Sequence, residues 1–186
     1  MPEYLEIEAR FLDIDAAALK QKLTELGATN FGDDLFEEII AYSKEWADYK
    51  RMFLKIRKTK NGVFMTYKHQ REDTVDGTEE IQLKIDDFEK AITFLKRLGF
   101  DYIMRHQQKK RHSFELDGVT IDIDTWPKIP TYVELEGKSE QKLKDVAAKL
   151  GLDWQKAVFE NPRIVMEKYY NFDVANLTWF TFDRIE

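Results

Sequence analysis

The chain has no cysteine, and its four prolines and eight glycines are spread thinly over 186 residues. Without cysteine there is neither a disulfide framework nor a thiolate metal site, which agrees with an expected cytoplasmic location. The glycines form neither a Walker-type loop nor a dinucleotide fingerprint, so any phosphate must be held by side chains rather than a cradle of backbone amides. A Gly-x-Ser-x-Gly elbow and a cysteine nucleophile are absent too. Three histidines, His69, His106 and His112, share no metal-ligand spacing, so a zinc site is not expected. No apolar run is long enough to cross a bilayer, and the opening residues lack the basic-then-apolar order of a secretory leader. A soluble protein with no membrane contact is the expectation. The net charge of −6 disfavours a general grip on nucleic acid, so an anionic ligand needs a local cluster of bases.

What the chain does have is alternation. In the stretch from Glu3 to Phe11, Leu5, Ile7, Ala9 and Phe11 share one parity, while Glu6, Glu8 and Arg10 share the other. This is a strand with one apolar and one charged face. Leu35 to Ser43, with Ile39 and Ile40, reads as another strand, and further strands are read from Met52 to Arg57, Val63 to His69, Glu80 to Ile85, Gln107 to Leu116, Val119 to Thr125 and Tyr132 to Gly137. Asn61-Gly62, Asp76-Gly77 and Asp117-Gly118 mark turns between them. Residues Lys44 to Tyr49 read as a connection. Helices are predicted after Asp13 as far as Gly27, from Asp87 to Gly99, from Ser139 to Gly151, and from Arg163 to Tyr170. Tyr4 to Glu8 and Tyr132 to Glu136 form a weak internal repeat, each followed by a helix ending in Leu-Gly. Alternating strands with few helices predict an α+β fold, mainly antiparallel, as a barrel or strongly curved sheet within a single domain of residues 1–186.

If the apolar parity packs outward beneath the helices, the inward parity carries acids Glu6, Glu8, Glu80, Asp122, Asp124, Glu134 and Glu136. It also carries the bases Arg10, Lys55, Arg57, Lys68, Lys84, Lys109 and Arg111. Any one of these pairs would ordinarily be surface charge. Their shared parity over many strands argues for a wet, charged interior, because buried ions without partners are unfavourable by several kcal/mol each. Carboxylates two residues apart suit a hard divalent cation, and a ring of Lys and Arg suits phosphate oxygens. Lys168, on the last predicted helix, is a further candidate contact.

The ordered series Glu6-Ile7-Glu8-Ala9-Arg10, Lys55-Ile56-Arg57, Lys68, Glu80, Lys109-Lys110-Arg111, Asp122, Asp124 and Glu134-Leu135-Glu136 resembles the CYTH superfamily. These are the triphosphate tunnel metalloenzymes, which include class IV adenylyl cyclases and thiamine triphosphatases. The resemblance implies an eight-stranded, closed antiparallel tunnel, Mg²⁺ or Mn²⁺, and a triphosphate held along the axis. Glu6, Glu8, Glu134 and Glu136 would be the principal metal ligands, with Asp122, Asp124 and Glu80 as further ligands or orienters of metal-bound water. Arg10, Lys55, Arg57, Lys68, Lys84, Lys109, Arg111 and Lys168 would meet the phosphates. Arg10 stands where the family signature prefers lysine; it keeps the charge but cannot lose its proton. Three functions are compatible: a phosphohydrolase of inorganic, organic or nucleoside triphosphates, a class IV adenylyl cyclase making cyclic AMP and pyrophosphate, or a non-catalytic polyphosphate or nucleotide binder. The partner is a small triphosphate and the chain a monomer or homodimer. The apolar run Leu177 to Phe182 is expected to pack on the barrel or a second subunit.

Overall fold

The computed structural model describes residues 5–49 and 51–186. Glu3 and Tyr4, expected to start the first strand, lie outside the described residues. Alternation along the chain becomes a sheet that nearly closes on itself. Its strands are β1 (Leu5–Glu6), β2 (Glu8–Phe11), β3 (Thr29–Tyr42), β4 (Met52–Thr59), β5 (Gly62–Gln70), β6 (Thr78–Ile85), β7 (Ile103–Leu116), β8 (Val119–Thr125) and β9 (Tyr132–Glu136). They are ordered β1-β6-β5-β4-β3-β7-β8-β9-β2, and neighbours on this path run antiparallel. Since β1 and β2 are interrupted only at Ile7, the two ends of the ladder belong to one pass of the chain. The result is the expected barrel of eight passes. At the interruption the ladder is replaced by bonds from the Glu8 amide to the Val75 carbonyl (2.9 Å) and from the Gly137 amide to the Ile7 carbonyl (3.1 Å).

Turn chemistry sets the hairpins. Between β7 and β8, Asp117 and Gly118 both take positive φ (54° and 76°), the mirror-type turn that matches strand twist. The β4–β5 hairpin turns on Lys60 and Asn61, with Gly62 already paired to Thr59.

Among the described residues five α-helices accompany the sheet: α1 (Ala16–Glu25), α2 (Lys44–Tyr49), α3 (Phe88–Arg97), α4 (Glu140–Leu150) and α5 (Pro162–Tyr170). Asp15 caps α1 by accepting from the Ala17 and Ala18 amides, and Ser139 caps α4 by accepting from that of Lys142. The outward parity of β2, β8 and β9 (Ala9, Phe11, Ile121, Ile123, Val133, Leu135) packs against Leu19 and Leu23 of α1 and Leu143, Val146 and Ala147 of α4. A second outer core joins Ile39, Ala41 and Ile56 to Ile92 and Leu95 of α3. Because the helices take the apolar parity outside, the charged parity is left to face the axis.

One end of the barrel is stopped. Trp126 and Tyr132 form a cluster with Met166 of α5, Val174 and Phe180. A short strand, β10 (Trp179–Phe180), runs parallel to β7 beside His106 and Gln107, which places the Leu177 to Phe182 run on the barrel. The segment read as a connection at Lys44 to Tyr49 is helix α2, and β3 begins at Thr29 rather than near Leu35. No helix among the described residues is long and apolar enough to cross a membrane.

Candidate active site

Inside the barrel most acids come from β1, β2, β8 and β9, with Glu38 on β3 and Glu80 on β6, and most bases come from β4, β5 and β7. Arg10, on β2, lies within the acidic side. It is 2% exposed, and one guanidinium nitrogen meets Glu8 at 2.9 Å and Glu134 at 2.7 Å. The other terminal nitrogen donates to the Glu160 carbonyl at 2.9 Å. The register explains the bridge: Arg10 lies opposite Glu134, and Glu8 opposite Glu136, in the β2–β9 ladder. Burial disfavours the Arg10 cation, but Glu134 and Glu8 overcome this and hold it more firmly protonated than usual. Glu134 is correspondingly held well below the carboxylate range by Arg10 and Arg111, against its burial.

A second network is centred on Arg111. Its guanidinium donates to both Asp124 oxygens at 2.6 Å, to Asp122, and to Glu134 at 3.2 Å. Lys109 reaches the same Asp124 at 2.7 Å. Both oxygens of Asp124 are therefore taken by bases. It orients Lys109 and Arg111, and a cation at Asp124, as at Glu134, would have to compete with the bases on both oxygens.

In a third network Lys68 stands between Glu6 (2.7 Å) and Glu80 (3.0 Å). One ammonium serves two carboxylates, and they split. Burial, with repulsion from Glu8 and Glu80, raises Glu6 to about 8 despite Lys68. Burial also works against the Glu80 anion, yet Lys68 beside it prevails and brings it down to about 2. Glu136 has an open approach to water at the end of β9, but surrounding protein and the neighbouring Glu134 and Glu8 raise it to about 7.

The fourth network was not anticipated. Glu38 on β3 is buried and accepts from Arg57 at 2.5 Å and from the Gln107 amide at 2.7 Å. Burial would raise its carboxyl, but the ion-paired Arg57, with Lys109, holds it well below the usual range. Beneath this group the Phe36 ring receives Arg57, Lys109 and Arg111 at 4.8, 5.5 and 5.4 Å from its centroid, a shared cation–π floor.

Two expected contacts lie elsewhere. Lys84 is exposed at the far end of β6, beside Gly62. Lys168 points out from α5, 58% exposed, and pairs with Glu160 at 2.5 Å. Instead α5 turns Arg163 toward the cavity, beside Asn161, whose amide donates to Gln70 at 2.6 Å. The interior cavity is about 120 Å³, and its lining includes the bases Arg10, Lys55, Arg57, Lys68, Lys109 and Arg111 and the acids Glu8, Glu38 and Glu134. A larger hollow of about 700 Å³ lies outside the barrel between the start of α1 and the end of α4, with none of these networks in its lining.

The donor set Glu6, Glu8, Glu134 and Glu136 offers only hard oxygens, which fits an ion of the Mg²⁺ or Mn²⁺ class. Mutual repulsion contributes to the raised Glu6 and Glu136, and a cation would relieve it. Among the described residues no three acidic or histidine side chains already converge as ligands. Arg10 holds two of the four donors, so an entering cation competes with its guanidinium.

Comparison with known proteins agrees with this architecture. A protein of Methanocaldococcus jannaschii, provisionally named an adenylate cyclase, is 29% identical over 135 residues, which cover 71% of this chain and 76% of that protein. The solved PH1012 protein of Pyrococcus horikoshii superposes with a TM-score of 0.71 at 25% identity, covering 84% of this chain and 96% of the other. A Hippeastrum protein, described as an adenylyl cyclase candidate with a dominant triphosphatase activity, shares the fold at 13% identity and a TM-score of 0.59, over 91% of this chain and 96% of its own. The sequence profile of the CYTH domain matches residues 4–161, and the chain belongs to the CYTH family.

Proposed function

We propose that this chain binds a triphosphate inside the barrel and hydrolyses it with the help of a divalent cation. The observation that carries this reading is the gathering of bases around one cavity: Lys55, Arg57, Lys68, Lys109 and Arg111 come from three strands, and Lys55 has no carboxylate partner among the described residues. An interior built for structure alone would pair every charge or use none. In this scheme Lys55, Arg57, Lys68, Lys109 and Arg111 bind phosphate oxygens and stabilise negative charge as the bridging bond breaks. Asp122 and Asp124 hold Arg111, and Asp124 holds Lys109, so these bases approach the phosphates in fixed directions. Glu38 does the same for Arg57. Glu6, Glu8, Glu134 and Glu136 would hold the cation, which when bound supplies charge neutralisation and an activated water. Glu80, ionised beside Lys68, would be the carboxylate to orient an attacking water.

Cyclisation of ATP is the second reading. It is supported by the naming of the archaeal relative, and it needs the same clamp with a ribose hydroxyl as the attacking group. The deciding experiment incubates the protein with tripolyphosphate, ATP and thiamine triphosphate, with Mg²⁺ or Mn²⁺ and then with chelator. Metal-dependent orthophosphate is the expected product. Cyclic AMP with pyrophosphate would establish the cyclase, and tight binding without product in any arm would show a polyphosphate or nucleotide binder.

A further inference from the structure

Lys55 differs from the other lysines that line the tunnel, Lys68 and Lys109. Its side chain is 5% exposed and lines the cavity, yet no carboxylate lies within ion-pair distance among the described residues. Arg10, Arg57, Lys68, Lys109 and Arg111 each hold at least one. Its ladder partners explain why: Ile40 on β3 and Thr66 on β5 are uncharged. The charged groups that face it are Arg57 on its own strand, Lys68 from β5, Glu80 from β6 and Glu38 from β3. Both acids are already engaged, Glu80 by Lys68 and Glu38 by Arg57. An ammonium here would be a buried charge beside two cations, with no anion of its own.

Resting on the reading of this cavity as a triphosphate site, we infer that Lys55 is charged by its ligand: it stands as a neutral amine in the empty tunnel and takes up a proton when the polyphosphate enters. The physical cause is the change of neighbours. In the empty state burial, then Arg57 and Lys68, bring the amine down to about 7. Phosphate oxygens at the same place reverse the sign of the local field and favour the ammonium. Binding is thereby coupled to a proton: a buffer or solvent acid gives up its bond to hydrogen, its conjugate base stays in solution, and one N–H bond forms on Nζ. Affinity for the polyanion then falls as pH rises above about 7, with a limiting slope of about tenfold per pH unit. The phosphate-binding arginines keep their charge throughout this range, whereas Glu6 and Glu136 also titrate within it, so the part due to this amine is the difference between wild type and Lys55→Arg.

The test is calorimetry of tripolyphosphate binding at pH 8 with chelator present, repeated in buffers of different ionisation enthalpy to count protons. Lys55→Arg serves as the comparison because it supplies a permanent cation, and the ligand's own protonation change is common to both proteins. Wild type should take up about 0.9 proton more than Lys55→Arg. Equal proton counts would overturn the inference while leaving triphosphate binding intact, whereas absence of binding in both would overturn the triphosphate reading and the inference with it. The free protein gives an independent check through the lysine Cε resonance that disappears in Lys55→Arg. It should titrate near 7 without ligand, and a midpoint at the ordinary lysine value of about 10 would refute the inference.

Discussion

Removing the Arg10 guanidinium should damage stability before it damages chemistry. The side chain is 2% exposed and bridges Glu8 and Glu134 at 2.9 and 2.7 Å. Arg10→Ala leaves two buried carboxylates without that cation, and breaking such a buried pair from one side costs about 3–5 kcal/mol. Glu134 retains Arg111 at 3.2 Å, so the loss should fall toward the lower end of that range. Arg10→Lys keeps a charge between the two acids but cannot also reach the Glu160 carbonyl. One hydrogen bond from a charged donor is lost, worth about 1.5–3 kcal/mol. Urea unfolding with fluorescence detection measures both. With a slope of about 2 kcal/mol per molar urea, a 3 kcal/mol loss moves the midpoint down by about 1.5 M. Added Mg²⁺ should stabilise Arg10→Ala more than wild type, because the freed Glu8 and Glu134 no longer hold a guanidinium that the ion must displace. An Arg10→Ala midpoint within about 0.3 M of wild type, with no extra gain from Mg²⁺, would refute the bridge as a structural element.

Two more predictions concern the acids. Glu8→Ala and Glu136→Ala should each lower metal-dependent turnover by orders of magnitude with the fold retained, and the double variant should lose less than the sum if both serve one cation; steady-state kinetics at saturating Mg²⁺ reads this directly. Glu38→Gln should destabilise by about 3 kcal/mol at pH 7, since Arg57 loses its buried anion. The folded Glu38 value is depressed, so its contribution is present above about 4.5 and fades as pH falls below it; the gap between wild type and variant in urea midpoint should therefore shrink below that pH.

The fold was legible because the strands keep strict parity and the barrel uses it consistently. Ile121, Ile123, Val133 and Leu135 all go out to α1 and α4, so the interleaved Asp122, Asp124 and Glu134 must go in. Glu38 escaped because its inward neighbours Phe36 and Ile40 are apolar, which hides the charged parity, and because Glu37 beside it makes the doublet look like surface. Three residues outward on the same strand, Leu35 is exposed, so β3 never showed a clean apolar face. Its first half, Thr29 to Asp34, carries the turn formers Asn30, Gly32, Asp33 and Asp34. Pairing with β7 overrides those preferences, with a register shift between Asn30 and Gly32. Lys84 and Lys168 share the right chemistry but not the right place. Parity cannot tell the middle of a tunnel from its rim, and helical spacing alone did not show that α5 directs Arg163 inward. The ion pairing of Asp124 was equally invisible, because it depends on the β7–β8 register that sets Arg111 opposite it.

The central claim is that a triphosphate occupies the barrel among these bases, and its most direct test is a crystal structure with tripolyphosphate and Ca²⁺. Phosphate oxygens should lie within hydrogen-bond distance of Lys55, Arg57 and Arg111, with the cation on the side of Glu8, Glu134 and Glu136. A tripolyphosphate seated instead in the outer hollow between α1 and α4, with Lys55 and Arg57 untouched, would contradict the account.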